Sequence, residues 1–262
     1  MSVEQPSPPL ATRAPAARLE DEYRIAWRLA LLVLVTLTLV KLMGHVPWIG
    51  TLGFTLAAAM QLYVPLWRAE RLDRDYDFVG LHLRAWRKDL TLVALVALVS
   101  FPPFALGHHF YMTRAHDWLA VLGWHDLAAW VPTRHWHPVL PHGVQGWLGV
   151  TWDGTKLLAT QSLGVALPEE AFYRGYLQRI FEERLPPRRR WLGVPLGRAA
   201  VLAAALFALG HYLGEWNPLR LGPFFPALVF AWMRASSGSI VGPVLFHALA
   251  NVLGALLFAL YR

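Results

Sequence analysis

Residues 24–43 read RIAWRLALLVLVTLTLVKLM, and this apolar run determines the class of fold that the chain can adopt. A helix of this length rises about 1.5 Å per residue and so crosses about 30 Å of hydrocarbon. Comparable runs recur along the chain. They predict seven membrane spans, at 24–43, 48–67, 89–107, 155–182, 197–213, 219–234 and 238–260. The sequence therefore predicts an all-α polytopic transmembrane bundle of about seven spans, or eight if one re-entrant or interfacial segment is counted.

The composition agrees with a protein embedded in a lipid bilayer. Hydrophobic residues make up 56% of the chain and charged residues only 16%, against about 45–50% and about 25% in soluble domains. The 13 Trp residues suit the membrane–water boundary. The absence of Cys excludes disulfides, zinc–thiolate sites and thiol catalysis. The net charge of +7 comes from basic residues between apolar spans, which indicates contact with anionic lipid and not with nucleic acid.

The distribution of charge also predicts the orientation of the chain. With the N-terminus in the cytoplasm, most of the 24 Lys and Arg residues fall on the inner side of the membrane. The chain is rich in Ala, Arg, Leu and Trp, as expected from a GC-rich bacterial genome, so we predict an integral protein of the bacterial inner membrane. Residues 1–23 are polar and rich in Pro, which predicts a disordered tail. Residues 24–153 are predicted to form an N-terminal transmembrane region and 154–262 a second transmembrane region.

The stretch 108–154 is predicted to be a long loop outside the membrane. It contains most of the 11 His residues and many of the Trp residues. Within it, 115–131 can form a helix with Trp118, Val121 and Leu122 on one side, which favours a segment lying in the interface. We expect a solvated loop anchored by aromatic side chains. A metal site is the alternative, but no His pair here has a convincing ligand spacing.

Ionisable side chains within predicted spans are the first candidates for function, because a charge in hydrocarbon is costly unless it is paired or hydrated. The span 155–182 contains Glu169, Glu170 and Arg174. Glu170 and Arg174 are four residues apart, so they share a helix face and are predicted to form a structural ion pair. Glu169 points about 100° away from that face. It lacks this partner and is therefore a candidate general acid or base.

Two further apolar spans also carry polar groups. His211 lies near the end of the span 197–213, and His247 and Asn251 share one face of the span 238–260. A single His on an apolar face is more often a satisfied core residue than a catalyst. Three helices that each carry such groups, however, predict that the groups meet. The rise per residue places them in one layer with Glu169, in the outer half of the membrane for the orientation above.

These residues resemble the motifs of the CPBP family of intramembrane endopeptidases, also called the Abi or type II CAAX prenyl protease family. The three motifs are Glu-Glu-x-x-x-Arg, Phe-x-x-x-His and His-x-x-x-Asn. They occur in that order at 169–174, 207–211 and 247–251. The resemblance covers about residues 155–260 and implies proteolysis within or near the bilayer. Bacterial relatives of the myxosortase kind, which resemble processors of C-terminal membrane-anchor tails, are the subgroup that the composition suggests.

The resemblance implies four catalytic residues and three supporting ones. Glu169 and His211 would activate the attacking water. His247 and Asn251 would stabilise the tetrahedral oxyanion. The supporting residues, which hold the helix geometry or pack beside the site, would be Glu170, Arg174 and Phe207.

Members of this family have been described both as metalloproteases and as glutamic proteases. We favour the glutamic mechanism without a cofactor, since the chain lacks the His-Glu-x-x-His zinc signature. The alternative is a zinc ion held by Glu169, His211 and His247. The expected substrate is a membrane-anchored or lipidated protein, cut near its C-terminal tail.

Two other classes of function use the same residues. A proton-coupled transporter would carry Glu, His and Arg within its spans, but the chain shows none of the inverted repeats of many transporters. A non-catalytic peptide-binding or immunity protein would not need to bury so many polar groups. Proton-coupled uptake would support the first alternative, and retained function after Glu169→Ala would support the second.

Overall fold

Eleven α-helices carry most of the structure in the computed structural model, which describes residues 15–138 and 142–261. The helices are α1 (Pro15–Leu42), α2 (Pro47–Arg71), α3 (Trp86–Thr113), α4 (Ala115–Val121), α5 (His125–Ala128), α6 (Gly143–Thr160), α7 (Leu167–Glu170), α8 (Arg179–Arg184), α9 (Arg198–Tyr212), α10 (Phe224–Ser237) and α11 (Val241–Ala259). Two short strands, β1 (Arg190–Trp191) and β2 (Val194–Pro195), form an antiparallel hairpin. The prediction of an all-α bundle is confirmed.

Four of the described helices are long and apolar enough to cross a membrane, and they correspond to the first three and the last of the predicted spans. Their spanning segments are Ala17–Leu42, Trp48–Arg71, Trp86–Thr113 and Val241–Ala259. Helix α9 is a shorter apolar helix. The protein is therefore an integral membrane protein, while the count of seven crossings stays a prediction.

The fourth predicted span, 155–182, lies inside a longer helical path that runs through 143–184. This path contains α6, α7 and α8, joined by the π-helical segments Gln161–Ala166 and Ala171–Gln178. Pro168 has no backbone N–H, so the regular series of hydrogen bonds is interrupted at this point. Wide turns of this kind are frequent at functional sites. The boundary predicted at 153/154 falls within α6.

Two stretches predicted to be irregular are largely helical. Helix α1 begins at Pro15, so 15–23 form its first turns and not a disordered tail; residues 1–14 lie outside the described residues. The predicted outer loop 108–154 contains the end of α3, α4, α5 and the start of α6. Within the predicted interfacial helix, a turn at Gly123, whose φ is +79°, separates α4 from α5.

The helical start of α1 has a physical cause in tertiary contacts that the polar composition does not reveal. The guanidinium of Arg68 in α2 donates to both carboxylate oxygens of Glu22 in α1. The hydroxyl of Tyr176 donates to the same carboxylate at 2.6 Å. All three side chains are buried. This cluster fastens the N-terminal helices to the helical path that carries the predicted site.

We expect Glu22→Ala to lower the free energy of unfolding by about 3 kcal/mol, because it leaves Arg68 buried without its carboxylate. Denaturant titration of the purified protein in detergent would measure the change. Glu20→Ala is the matched control: Glu20 binds Arg24 and Arg184 at an exposed position, where such pairs contribute little to stability. Equal losses for both variants would show that the buried cluster contributes no special stability.

Candidate active site

The adjacent carboxylates Glu169 and Glu170 lie in α7, the short helix between the two π-helical segments. Glu170 is completely buried, and so is Arg174 one turn later. Nη1 of Arg174 lies 3.2 Å from Oε1 of Glu170, so the ion pair predicted from the spacing is present. Nη2 of Arg174 also donates to the carbonyl oxygen of Ala227 in α10 at 3.3 Å. The pair therefore joins the path through α7 to a neighbouring helix.

Aromatic rings surround this buried guanidinium. The Cζ atom of Arg174 lies 4.5 Å from the ring centroid of Phe207 and 5.0 Å from that of Phe230. Both distances are within the range of cation–π attraction. Phe207, predicted to pack beside the site, thus also faces the charge of Arg174. Its ring centroid lies 4.6 Å from that of His211.

His247 in α11 contacts both carboxylates of α7. Its Nδ1 lies 2.9 Å from Oε1 of Glu170, and its Nε2 lies 3.7 Å from Oε2 of Glu169. Its ring also stacks on Phe230, with centroids 4.9 Å apart. Because an ionised carboxylate only accepts hydrogen bonds, Nδ1 of His247 carries a proton. Nε2, the nitrogen that faces Glu169, then carries a proton only when the ring is an imidazolium.

The contact between Glu170 and His247 was not predicted from the sequence. Spacing along one helix reveals partners on that helix only, so Arg174 was the only partner predicted for Glu170. In the structure, Glu170 holds Arg174 and His247 together. Oε2 of Glu169 makes no hydrogen bond within the described residues. It faces the ring edge of His247 from a largely buried position.

His211, in the last turn of α9, is oriented by its own helix. Its Nδ1 lies 3.0 Å from the carbonyl oxygen of Phe207. A carbonyl oxygen only accepts, so Nδ1–H is the donor, and Nε2 of the neutral ring is left as an acceptor. That tautomer suits a group that orients water or takes up a proton.

Lys41, at the end of α1, holds the end of α9 beside His211. Its Nζ donates to the carbonyl oxygens of Gly210 at 2.9 Å and His211 at 2.7 Å. Glu215 follows α9 and lies 3.2 Å from the same Nζ. The hydrogen bond from Arg220 lowers the pKa of Glu215 from its usual value. Lys41 is 170 residues from His211 in the sequence, so spacing along one helix does not reveal this contact.

Asn251 lies one turn beyond His247, and its amide is held by a residue of the first π-helical segment. Nδ2 of Asn251 donates to Oε1 of Gln161 at 2.8 Å. Because an amide nitrogen has two hydrogens, one remains for another acceptor. Gln161 was not among the predicted residues. A polar side chain inside the span 155–182 was the signal that would have identified it.

We expect Asn251→Ala to slow peptide cleavage by about 10²-fold if Asn251 is an oxyanion donor. Gln161→Leu should slow cleavage by about tenfold, since it leaves the Asn251 amide in place but free to rotate. Adding Gln161→Leu to the Asn251→Ala protein should slow cleavage little further, because the amide that Gln161 holds is already gone. Steady-state rates of the two single variants and the double variant would measure this coupling. Additive losses would contradict a positioning role for Gln161.

The structure leaves zinc held by Glu169, His211 and His247 as the alternative to the metal-free mechanism. Among the residues that it describes, no group of three or more His, Asp or Glu side chains is close enough to share an ion. The same holds for the described part of the His-rich stretch 108–154, where Nδ1 of His109 contacts the hydroxyl of Tyr261 at 2.8 Å.

Comparison with known proteins gives an independent result for this part of the chain. A family model described as type II CAAX prenyl endopeptidase Rce1-like matches residues 151–253. The matched segment includes all three motifs. Comparison with curated proteins and with solved structures found no match. The resemblance inferred from the motifs is thereby confirmed.

Proposed function

We propose that this protein is a glutamic intramembrane endopeptidase that cleaves a membrane-anchored or lipidated protein near its C-terminal tail. The match of residues 151–253 to the Rce1-like model of type II CAAX prenyl endopeptidases supports this proposal. The observation that carries this proposal is the position of Glu169. Its Oε2 atom is buried, makes no hydrogen bond within the described residues and faces Nε2 of His247 at 3.7 Å. A carboxylate with a free lone pair beside a possible cation suits proton transfer in a dry site.

In the proposed reaction, Glu169 takes a proton from a water molecule that Nε2 of His211 helps to orient. The water oxygen forms a bond to the carbonyl carbon of the scissile peptide, and the carbonyl oxygen becomes an oxyanion. Glu169 then gives its proton to the leaving nitrogen as the C–N bond breaks. The oxyanion re-forms the carbonyl, the products are a carboxylic acid, which then ionises to solvent, and a free amine, and the protein returns to its starting protonation state.

His247 and Asn251 are the proposed donors to the oxyanion. Asn251 has one amide hydrogen left after its bond to Gln161. His247 already donates through Nδ1 to Glu170, so donation through Nε2 requires the imidazolium form. The carboxylate of Glu170 would stabilise that cation. Arg174 shares Glu170 with His247 and would hold its carboxylate in place.

The choice between a metal-free and a zinc-dependent reaction is part of the proposal. Zinc would supply a polarised water at neutral pH. The chain lacks the His-Glu-x-x-His zinc signature, and the position of Glu169 beside His247 suits direct action by Glu169. We therefore propose the glutamic mechanism, in a bacterial inner-membrane protein with a cytoplasmic N-terminus.

Purified protein in lipid vesicles provides the test. It would be mixed with single-span reporter proteins whose C-terminal tails differ in sequence and in the presence of a prenyl group. We expect a reporter to be cut near its anchor by the wild-type protein, with product masses fixing the bond, and to stay intact with His211→Ala. Proton movement across the vesicle membrane with no cut reporter would contradict proteolysis and favour the transporter alternative.

A further inference from the structure

A large groove lies apart from the candidate active site. It is a groove of about 1300 Å³ between α3, α9, α10 and the connecting stretch 185–197. None of the predicted site residues lines it. Its walls are aliphatic or aromatic side chains, including Leu95, Val96, Val99, Val201, Leu202 and Leu228. Val99 and Val201 remain substantially exposed, so the groove opens to the surroundings of the helices.

One part of this apolar groove is strongly basic. Arg184, Arg188, Arg189 and Arg198 all line it. Arg184 is paired with Glu20 at 2.9 Å. The other three, which we call the arginine rim, form no ion pair within the described residues. An apolar groove that ends at three uncompensated guanidinium groups is complementary to an amphiphile with an anionic head.

The tryptophans of the groove indicate its depth in the membrane. Trp191 in the β1–β2 hairpin and Trp232 in α10 both line it, and Nε1 of Trp232 donates to the carbonyl oxygen of Trp191 at 3.1 Å. Trp residues concentrate at the level of the lipid headgroups. The arginine rim includes Arg198 at the start of α9 and residues just before the hairpin. It therefore lies at headgroup level, while the walls on α3 and α10 reach into the hydrocarbon.

We propose that this groove is a binding site for one anionic phospholipid, with the phosphate at the arginine rim and the acyl chains along α3, α9 and α10. Basic pockets between transmembrane helices bind acidic headgroups in this way. A free phosphate would leave the apolar walls uncovered, and a lipid with no net charge would leave the arginines uncompensated. The site does not depend on the proposed proteolysis, since it shares no residue with the catalytic set.

Native mass spectrometry of the detergent-purified protein, titrated with phosphatidylglycerol or phosphatidylcholine, tests the headgroup. Each arginine contributes about fivefold to attraction of anionic lipid, so the triple variant Arg188→Gln, Arg189→Gln, Arg198→Gln should bind phosphatidylglycerol about 100-fold more weakly. The matched control is Arg71→Gln, Arg74→Gln, Arg87→Gln, which removes equal charge outside the groove. Equal losses in both variants, or equal binding of the two lipids to the wild type, would overturn the proposal.

A second pair of variants tests the walls. Val99→Trp places a large ring in the groove, whereas Leu98→Trp adds the same ring to an exposed neighbour on α3 that does not line it. We expect a several-fold loss of phosphatidylglycerol binding for Val99→Trp only. Displacement of the lipid by inorganic phosphate at equal concentration would show a simple anion site and contradict the proposal. Lipid binding that emerges only after removal of residues 1–14 would show that this segment is the occupant, and would also overturn it.

Discussion

Replacing Glu169 with Gln is expected to abolish cleavage of a reporter that the wild-type protein cuts, with a loss of about 10³-fold or more. The substitution keeps the shape of the side chain but removes the group that takes the proton from water. General acid–base catalysis contributes about 10²–10⁴-fold, and in this site the same carboxylate would act in both halves of the reaction. Single-turnover rates in lipid vesicles, with saturating enzyme, would measure the chemical step directly.

Glu183→Gln is the matched control for this result. Glu183 ends the same helical path, but it is partly exposed and pairs with Arg179 at 3.3 Å. We expect its rate to stay within about twofold of the wild type. If Glu169→Gln retained more than a tenth of the wild-type rate, Glu169 would not be the base. If both variants lost activity equally, the loss would reflect general damage to the helix.

Arg174→Ala should produce the largest loss of stability, about 4 kcal/mol in the free energy of unfolding. Arg174 is completely buried, pairs with Glu170 and lies between the rings of Phe207 and Phe230. Removing one partner of a buried ion pair costs about 3–5 kcal/mol, because the other charge stays buried without compensation. We also expect a lower yield of inserted protein, together with lower activity from the freed carboxylate.

Arg179→Ala provides the comparison, because Arg179 lies on the same helical path in a partly exposed pair with Glu183. Its loss should be below about 1 kcal/mol. Denaturant titration in detergent, together with the amount of protein recovered from membranes, would separate the two cases. An Arg174→Ala protein as stable as Arg179→Ala would show that Glu170 and His247 do not need the guanidinium.

The sequence was sufficient for the features that depend on spacing along one helix. The four-residue interval between Glu170 and Arg174 predicted their ion pair, and long apolar runs predicted α1, α2, α3 and α11. The three motifs predicted the family. Each of these inferences uses the rise and period of a helix, which are the same in every α-helix.

Contacts between helices that are distant in the sequence could not be predicted from spacing along one helix. The bonds of His247 to Glu170 and of Asn251 to Gln161 connect positions 77 and 90 residues apart. Glu22 and Arg68, which contact Tyr176, lie in the part of the chain without motifs. A single sequence indicates that a polar group in a membrane needs a partner. It does not indicate which of several helices supplies that partner.

The period of apolar residues in the sequence also did not predict the π-helical turns on either side of α7. The predicted angle of about 100° between Glu169 and Glu170 holds for a regular α-helix. Pro168, which lies between the two wide turns, has no backbone N–H and so interrupts the regular hydrogen bonds there. Glu169 and Glu170 both remain close to His247, Glu169 beside Nε2 and Glu170 beside Nδ1 of the imidazole ring.

The most direct test of proteolysis by Glu169 compares the C-termini of membrane proteins in cells that carry the wild-type protein with those in cells that carry Glu169→Gln. Mass spectrometry of C-terminal peptides would read both sets, and a reporter cut by the purified wild-type protein would be expressed in both as an internal standard. We expect a defined set of tails, including that of the reporter, to remain uncut only with Glu169→Gln. Identical sets of C-termini, with the reporter cut equally in both cells, would contradict the proposed role of Glu169.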